Sequence, residues 1–188
     1  MPNWVTTTFT VDGKDSDKLL KIIRKISKTK SKHLFETIMG YPKTFRTWDT
    51  TNNTVRRLKR MKEDGCKSFK DDISRKTFPL TDEVIARYKN AADYQKRKYG
   101  VVGWYDFNCK YFGTKWDACD IEVDGDMVTF LTAWSFPEPF FRYLADHYDI
   151  TIRDGEFDDE GNFYGDFQIF DGELNVWDYD GDRWEAKA

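Results

Sequence analysis

Residues 119–134 constrain the fold more than any other stretch of the chain. Cys119, Ile121 and Val123 alternate with Asp120, Glu122 and Asp124; Asp124-Gly125 follows, and Met127 to Trp134 is then apolar in both phases. A period of two with one polar phase describes a half-exposed strand, whereas apolar residues in both phases describe a strand buried on two sides. Asp-Gly between two such runs is a tight-hairpin signal, because its residues accept positive φ. The expectation is an antiparallel hairpin whose second strand is central in a sheet, with Trp134 in the core.

Helical periods flank this hairpin. From Ser16, a candidate N-cap, Leu19, Ile22, Ile23 and Ile26 recur on one face while Lys18, Lys21, Arg24, Lys25 and Lys28 occupy the other. Thr81 can cap a second helix with Val84, Ile85, Tyr88, Ala91 and Ala92 as its stripe; Lys96, Arg97 and Lys98 stand at its negative pole, and Gly100 and Gly103 end it. Trp104, Phe107 and Tyr111 repeat at helical spacing before Gly113. Ser135-x-x-Glu138 reads as a capping box ahead of Phe140, Phe141, Leu144 and Tyr148. Strands are expected at 4–11, 150–157, 163–170 and 174–179. Residues 29–80 read as a loop with short helices, of which only Val55 to Glu63 has a clear period. Periodicity alone therefore predicts an α+β chain with an antiparallel sheet.

A chain of 188 residues fits a single domain, 1–188, with a helical insertion at about 29–100. Its hydrophobic content is 39%, but 17% of the residues are aromatic, and these bury much area per side chain. Cys66, Cys109 and Cys119 are odd in number with no Cys-x-x-Cys spacing, and there is neither a secretory apolar segment nor a membrane-length run. The expected setting is the cytoplasm, with free thiols and no membrane; Asn52-Asn53-Thr54 is then an incidental glycosylation match. The net charge of -3 hides a split: residues 12–100 carry 24 Lys/Arg against 12 Asp/Glu, and residues 101–188 carry 6 against 21. Such asymmetry suggests one face for nucleic acid or an acidic protein and another for a basic cleft, or two halves that neutralise each other.

The blocks Met1-Pro2-Asn3-Trp4-Val5, Trp104-Tyr105-Asp106-Phe107-Asn108, Gly113-Thr114-Lys115-Trp116, Thr132-Ala133-Trp134-Ser135-Phe136-Pro137 and Gly161-Asn162-Phe163-Tyr164-Gly165, in this order, resemble the YubB-type ferredoxin-like domain family. These are small accessory proteins of bacteriophages and plasmids. The resemblance covers residues 1 to about 28 and about 100 to 172. It implies a ferredoxin-like βαββαβ antiparallel sheet, here with the helical insertion and an extra C-terminal strand or two. It also implies a mobile-element origin and a bacterial host cell, and supplies no catalytic residues.

Chemical motifs are weak by comparison. Asp120-x-Glu122-x-Asp124-Gly125 resembles a calcium loop but has Leu131 at the twelfth position; Asp154-x-Glu156-x-Asp158 has Asp159 where Gly is needed; Asp178-x-Asp180-Gly181-Asp182 is too short. His33 and His147 have no ligand partners at zinc spacing, and no nucleophile elbow, Ser-x-x-Lys or phosphate-cradling glycine loop is present. No metal, cofactor or catalysis is expected. The leading expectation is a non-enzymatic accessory protein that binds a host macromolecule, a defence nuclease such as a CRISPR effector, through an acidic surface of Asp154, Glu156, Asp158, Asp159, Glu160 and Asp166. Carboxylates along strands can imitate a phosphate backbone. The alternative is direct nucleic-acid binding by Arg56, Arg57, Lys59, Arg60 and Lys62, although no RNA-recognition signature accompanies them. Trp4, Trp116, Trp134 and Phe163 are assigned to the core.

Overall fold

The computed structural model describes residues 3–29, 33–51, 53–159, 163–180 and 183–186. The elements are, in order, β1 (Trp4–Thr10), α1 (Ser16–Ser27), α2 (Leu34–Met39), α3 (Lys43–Thr47), α4 (Thr54–Glu63), β2 (Ser68–Lys70), β3 (Thr77–Pro79), α5 (Asp82–Tyr99), α6 (Trp104–Tyr111), β4 (Cys119–Asp124), β5 (Met127–Ala133), α7 (Glu138–His147), β6 (Ile152–Asp158), β7 (Tyr164–Phe170), β8 (Glu173–Asp180) and β9 (Arg183–Ala186). The chain divides into two compact units, Met1–Gly40 with Lys110–Ala188, and Tyr41–Cys109. In sequence, the second lies between the two parts of the first.

In the first unit a seven-stranded sheet runs β4-β5-β1-β6-β7-β8-β9, with every neighbouring pair antiparallel. The elements β1, α1, β4, β5, α7 and β6 form the βαββαβ pattern, with β1 between β5 and β6, and this is a ferredoxin-like α+β arrangement. The meander β7-β8-β9 extends it beyond β6. β-branched threonines favour the extended backbone of β1, and its burial alternates: Val5, Thr7 and Phe9 are buried while Trp4, Thr6, Thr8 and Thr10 are half-exposed. Phe9 makes edge contacts with Phe130, Phe141 and Phe167, and Phe136 stacks between Phe141 and Phe157 at 5.1 and 4.4 Å. α1 contributes its buried stripe Leu19, Leu20, Ile23 and Ile26.

Four local expectations are corrected. β5 is central, but its two faces differ: Val128 and Phe130 are fully buried, whereas Thr129 and Leu131, in the other phase, are half-exposed. Trp134 lies just past the strand with φ +70 and is 46% exposed, because the left-handed backbone turns its indole out of the alternation. Ser135 caps nothing: its hydroxyl donates to the Gly113 carbonyl, and α7 starts at Glu138 behind Pro137. Ser16 is likewise inside α1, donating to the Gly13 carbonyl.

The turns follow residue chemistry. Asp124 pairs with Met127 across Gly125-Asp126, and only Gly125 has positive φ, a type II′ pattern. Asp171-Gly172 has positive φ at both positions, a type I′ turn between β7 and β8.

The second unit packs Leu58, Phe69, Leu80, Val84, Ile85 and Tyr88 together, with Trp48, Val55, Met61 and Phe78 against them. The short pair β2-β3 supplies Phe69 and Phe78. Thr81 caps α5 by accepting from the Val84 amide, and Gly100 ends it in the left-handed conformation. Two buried polar hubs hold this unit. The Asp71 carboxylate accepts from the Tyr88 hydroxyl and from the amides of Asp49, Ile73 and Ser74; burial raises its pKa, but these hydrogen bonds outweigh that and hold it below the ordinary range. The fully buried Gln95 accepts from Thr50 and the Gly103 amide and donates to Thr44.

Candidate functional site

Directly opposed residues in an antiparallel pair point to the same face, so the register defines what the sheet presents opposite its phenylalanine core. One row crosses as Glu122, Thr129, Thr8, Glu156, Asp166 and Trp177. The next crosses as Leu131, Thr6, Asp158, Tyr164 and Tyr179. Between these rows lies an open groove of about 580 Å³ lined by Thr6, Thr8, Glu156, Asp158, Tyr164 and Asp166, among others.

The face is acidic and aromatic. Glu156 and Asp166 stand opposite each other, and Asp158 adjoins the 56% exposed Tyr164. Like charges directly opposed across strands are destabilising, yet among the described residues no cation pairs with Glu156, Asp158 or Asp166. The Asp166 carboxylate accepts from the Tyr179 hydroxyl at 2.8 Å, and that hydrogen bond holds the phenol above its ordinary pKa. Tyr179 in turn stacks on Tyr164 at 5.0 Å. Asp154 accepts from the Thr10 amide at 3.4 Å, next to a bulge in β6, and Arg153 lies over Phe170.

Of the acidic residues expected to act together, Glu156, Asp158 and Asp166 are exposed on this sheet face, and Asp154 is exposed at the register shift of β6. Asp159 is not on it: it is 4% exposed, because it falls in the same phase as core-facing Phe157 and its amide bonds to the Phe163 carbonyl. Glu160 lies outside the described residues, as do Gly161 and Asn162.

The core assignment of four aromatics is corrected as well. Trp116 and Trp134 are 38% and 46% exposed, and Trp4 and Phe163 are half-buried. Trp4, Trp116 and Trp134 form a continuous row, with ring centroids 6.3 and 6.0 Å apart, and Lys115 Nζ lies 4.5 and 4.6 Å from the last two rings. Trp4 shares strand and face with Thr6, so this row adjoins the groove. The spacing of the indoles in sequence carries no signal of it, since three distant segments contribute.

The basic cluster on α4 is partly neutralised. Arg57 lies 3.9 Å from Asp49 and 3.7 Å from Asp72, and Lys62 pairs with Asp82 at 2.5 Å. Arg56, Lys59 and Arg60 are exposed on one helical face and form no ion pair among the described residues.

His33, Glu36 and Asp117 bring one ligand atom each within 4.8 Å of one another. The Asp117 oxygens already accept from the amides of Phe35, Glu36 and Ala118, which makes this carboxylate the N-terminal cap of α2. Burial pushes its pKa up to about 6 despite those donors. His147 stacks on Tyr143 at the end of α7, with Nδ1 3.0 Å from the Tyr143 carbonyl. Among the described residues no helix is long and apolar enough to cross a membrane, and Cys66, Cys109 and Cys119 form no disulfide.

Residues 111–188 match the family described as a ferredoxin-like domain in Api92-like protein. The match covers β4 to β9 and accords with the topology of the first unit. No curated protein and no solved structure matches the chain.

Proposed function

We propose that this protein is a non-enzymatic accessory protein of a mobile genetic element, and that the open sheet face of its ferredoxin-like unit occupies the basic cleft of a host macromolecule, a defence nuclease. One observation carries the reading: Glu156, Asp158 and Asp166 stand together on an open groove with no cation opposite them among the described residues. That arrangement costs folding free energy through mutual repulsion. A basic partner relieves the repulsion on binding, so the cost is recovered in the complex. Alternate residues along a strand stand roughly 6.6–6.8 Å apart, which is similar to the spacing of successive phosphates in a nucleic-acid strand. Glu156 and Asp158 therefore offer a partner the charge pattern of its own substrate.

The test is affinity capture from infected bacterial lysate with the wild type and with Glu156→Lys/Asp158→Lys/Asp166→Lys, before and after nuclease treatment. The expected result is a captured nuclease that survives the treatment, is lost with the variant, and no longer binds its nucleic acid when the wild-type protein is added. The exposed cations Arg56, Lys59 and Arg60 favour the second reading, direct nucleic-acid binding. Arg56→Glu/Lys59→Glu/Arg60→Glu is expected to keep the partner; its loss, together with sensitivity to nuclease treatment, would transfer the function to α4.

A further inference from the structure

Trp134 combines two features that folding alone does not explain. Its backbone is in the left-handed region at φ +70, which is costly for a bulky residue, and its indole is nearly half exposed. Strain of this kind persists where the surrounding structure enforces it: the Trp134 amide donates to the Asn3 carbonyl at 3.0 Å, and the preceding Ala133 is paired with Trp4. The result aims the indole at Trp116, at 34° between planes, and opens a wedge with Trp4 behind it. A cation already sits at the mouth of this wedge, since Lys115 Nζ is nearly equidistant from the Trp116 and Trp134 rings. Aromatic faces attract cations through their quadrupoles, and tryptophan does so best.

We propose that the Trp4–Trp116–Trp134 wedge is a subsite for an arginine or lysine side chain of a protein partner, and that Lys115 occupies it until the partner arrives. The inference rests on the acidic-face reading and deepens it by naming the group that the face receives. Charge complementarity selects the occupant: Trp4 lies two residues from Thr6 on the same strand and face, and Thr6 is paired with Asp158. A guanidinium stacked in the wedge then has carboxylates further along the groove for its neighbouring basic residues. Single-stranded nucleic acid also stacks on tryptophans, but its phosphates would meet Glu156, Asp158 and Asp166.

The experiment is a titration of the full chain with a short arginine-rich peptide and, separately, with oligothymidine, followed through the indole N–H resonances of Trp116 and Trp134. The peptide is expected to shift both. Lys115→Ala removes the internal competitor and tightens peptide binding about two- to fivefold, which is ~0.5–1 kcal/mol of exposed cation–π attraction converted at 1.4 kcal/mol per tenfold. Arg153→Ala deletes an equal charge from the Phe170 end of the face and is expected to change affinity less. Trp134→Gly relaxes the backbone and weakens peptide binding, and Trp116→Ala reproduces the loss at an unstrained position. Equal effects of Lys115→Ala and Arg153→Ala, or indole shifts with oligothymidine alone, would overturn the proposal. If Lys115→Ala changes nothing while Glu156→Lys/Asp158→Lys/Asp166→Lys abolishes peptide binding, the wedge is wrong and the acidic face stands. If the charge reversal changes nothing while Lys115→Ala tightens binding, the wedge stands and the acidic face falls.

Discussion

Trp134→Gly separates a tryptophan placed for binding from one placed for packing. Truncating a buried large aromatic side chain costs about 3–5 kcal/mol, and with Trp134 46% exposed roughly half of that, about 2 kcal/mol, is at stake. Removing Cβ from a residue at φ +70 returns about 1–2 kcal/mol, the cost of left-handed backbone for an L-residue. The net loss is expected to be at most about 1 kcal/mol, or ~2–4 °C in melting temperature for a chain of this length. Phe141→Ala provides the contrast: Phe141 is fully buried and contacts Phe9, Phe130, Phe136 and Phe167, so it should lose the full 3–5 kcal/mol. Chemical denaturation of both variants measures the difference directly. A loss of 3 kcal/mol or more for Trp134→Gly would return Trp134 to the core.

Gly165→Ala should destabilise by about 1–3 kcal/mol or more, because a Cβ there would meet the Trp177 carbonyl oxygen and lie 2.5 Å from the Phe157 ring; an unchanged denaturation midpoint would show that β7 and β8 can shift apart. Asp117 has its folded pKa raised by burial to about 6 against an unfolded value near 3.9, so the native state binds more protons between the two. Its contribution to stability is fully present below about pH 4 and lost as pH rises through about 6; Asp117→Asn should remove that slope from the melting temperature, and identical slopes in both proteins would contradict the assignment. Chelator treatment should leave the melting curve in place, since a ligand bound only to the native state would have stabilised it; a drop restored by zinc would give His33, Glu36 and Asp117 a metal.

What the sequence made legible were the features set by local period. The alternation of Glu156 and Asp158 with Gly155 and Phe157 placed these carboxylates on one face of a strand, and Asp124-Gly125 marked the hairpin. The same rule, applied one residue further, puts Asp159 with Phe157 on the core side, where treating the acidic run as a single surface went wrong. The tryptophans were illegible for another reason. Apolar character in both phases of Met127 to Trp134 suggests burial on two sides, but nothing in a tryptophan announces positive φ, and nothing local reveals that the second face of β5 stays half-exposed. Long-range capping was hidden too: Asp117 serves α2 across more than eighty residues. The strands β2 and β3 have three residues each, too few to establish a period.

If charge on the open sheet face steers binding, it governs the association rate with the captured nuclease. The rate is to be measured for the wild type and for Glu156→Lys/Asp158→Lys/Asp166→Lys at low and physiological salt. Complementary charges steer encounter and are screened by ions, so the account predicts a wild-type rate that falls with salt and a variant rate at least about tenfold lower at low salt. All three residues are exposed, so the variant should keep the wild-type fold by circular dichroism. Equal association rates for a correctly folded variant and the wild type, at both salt concentrations, would contradict the account.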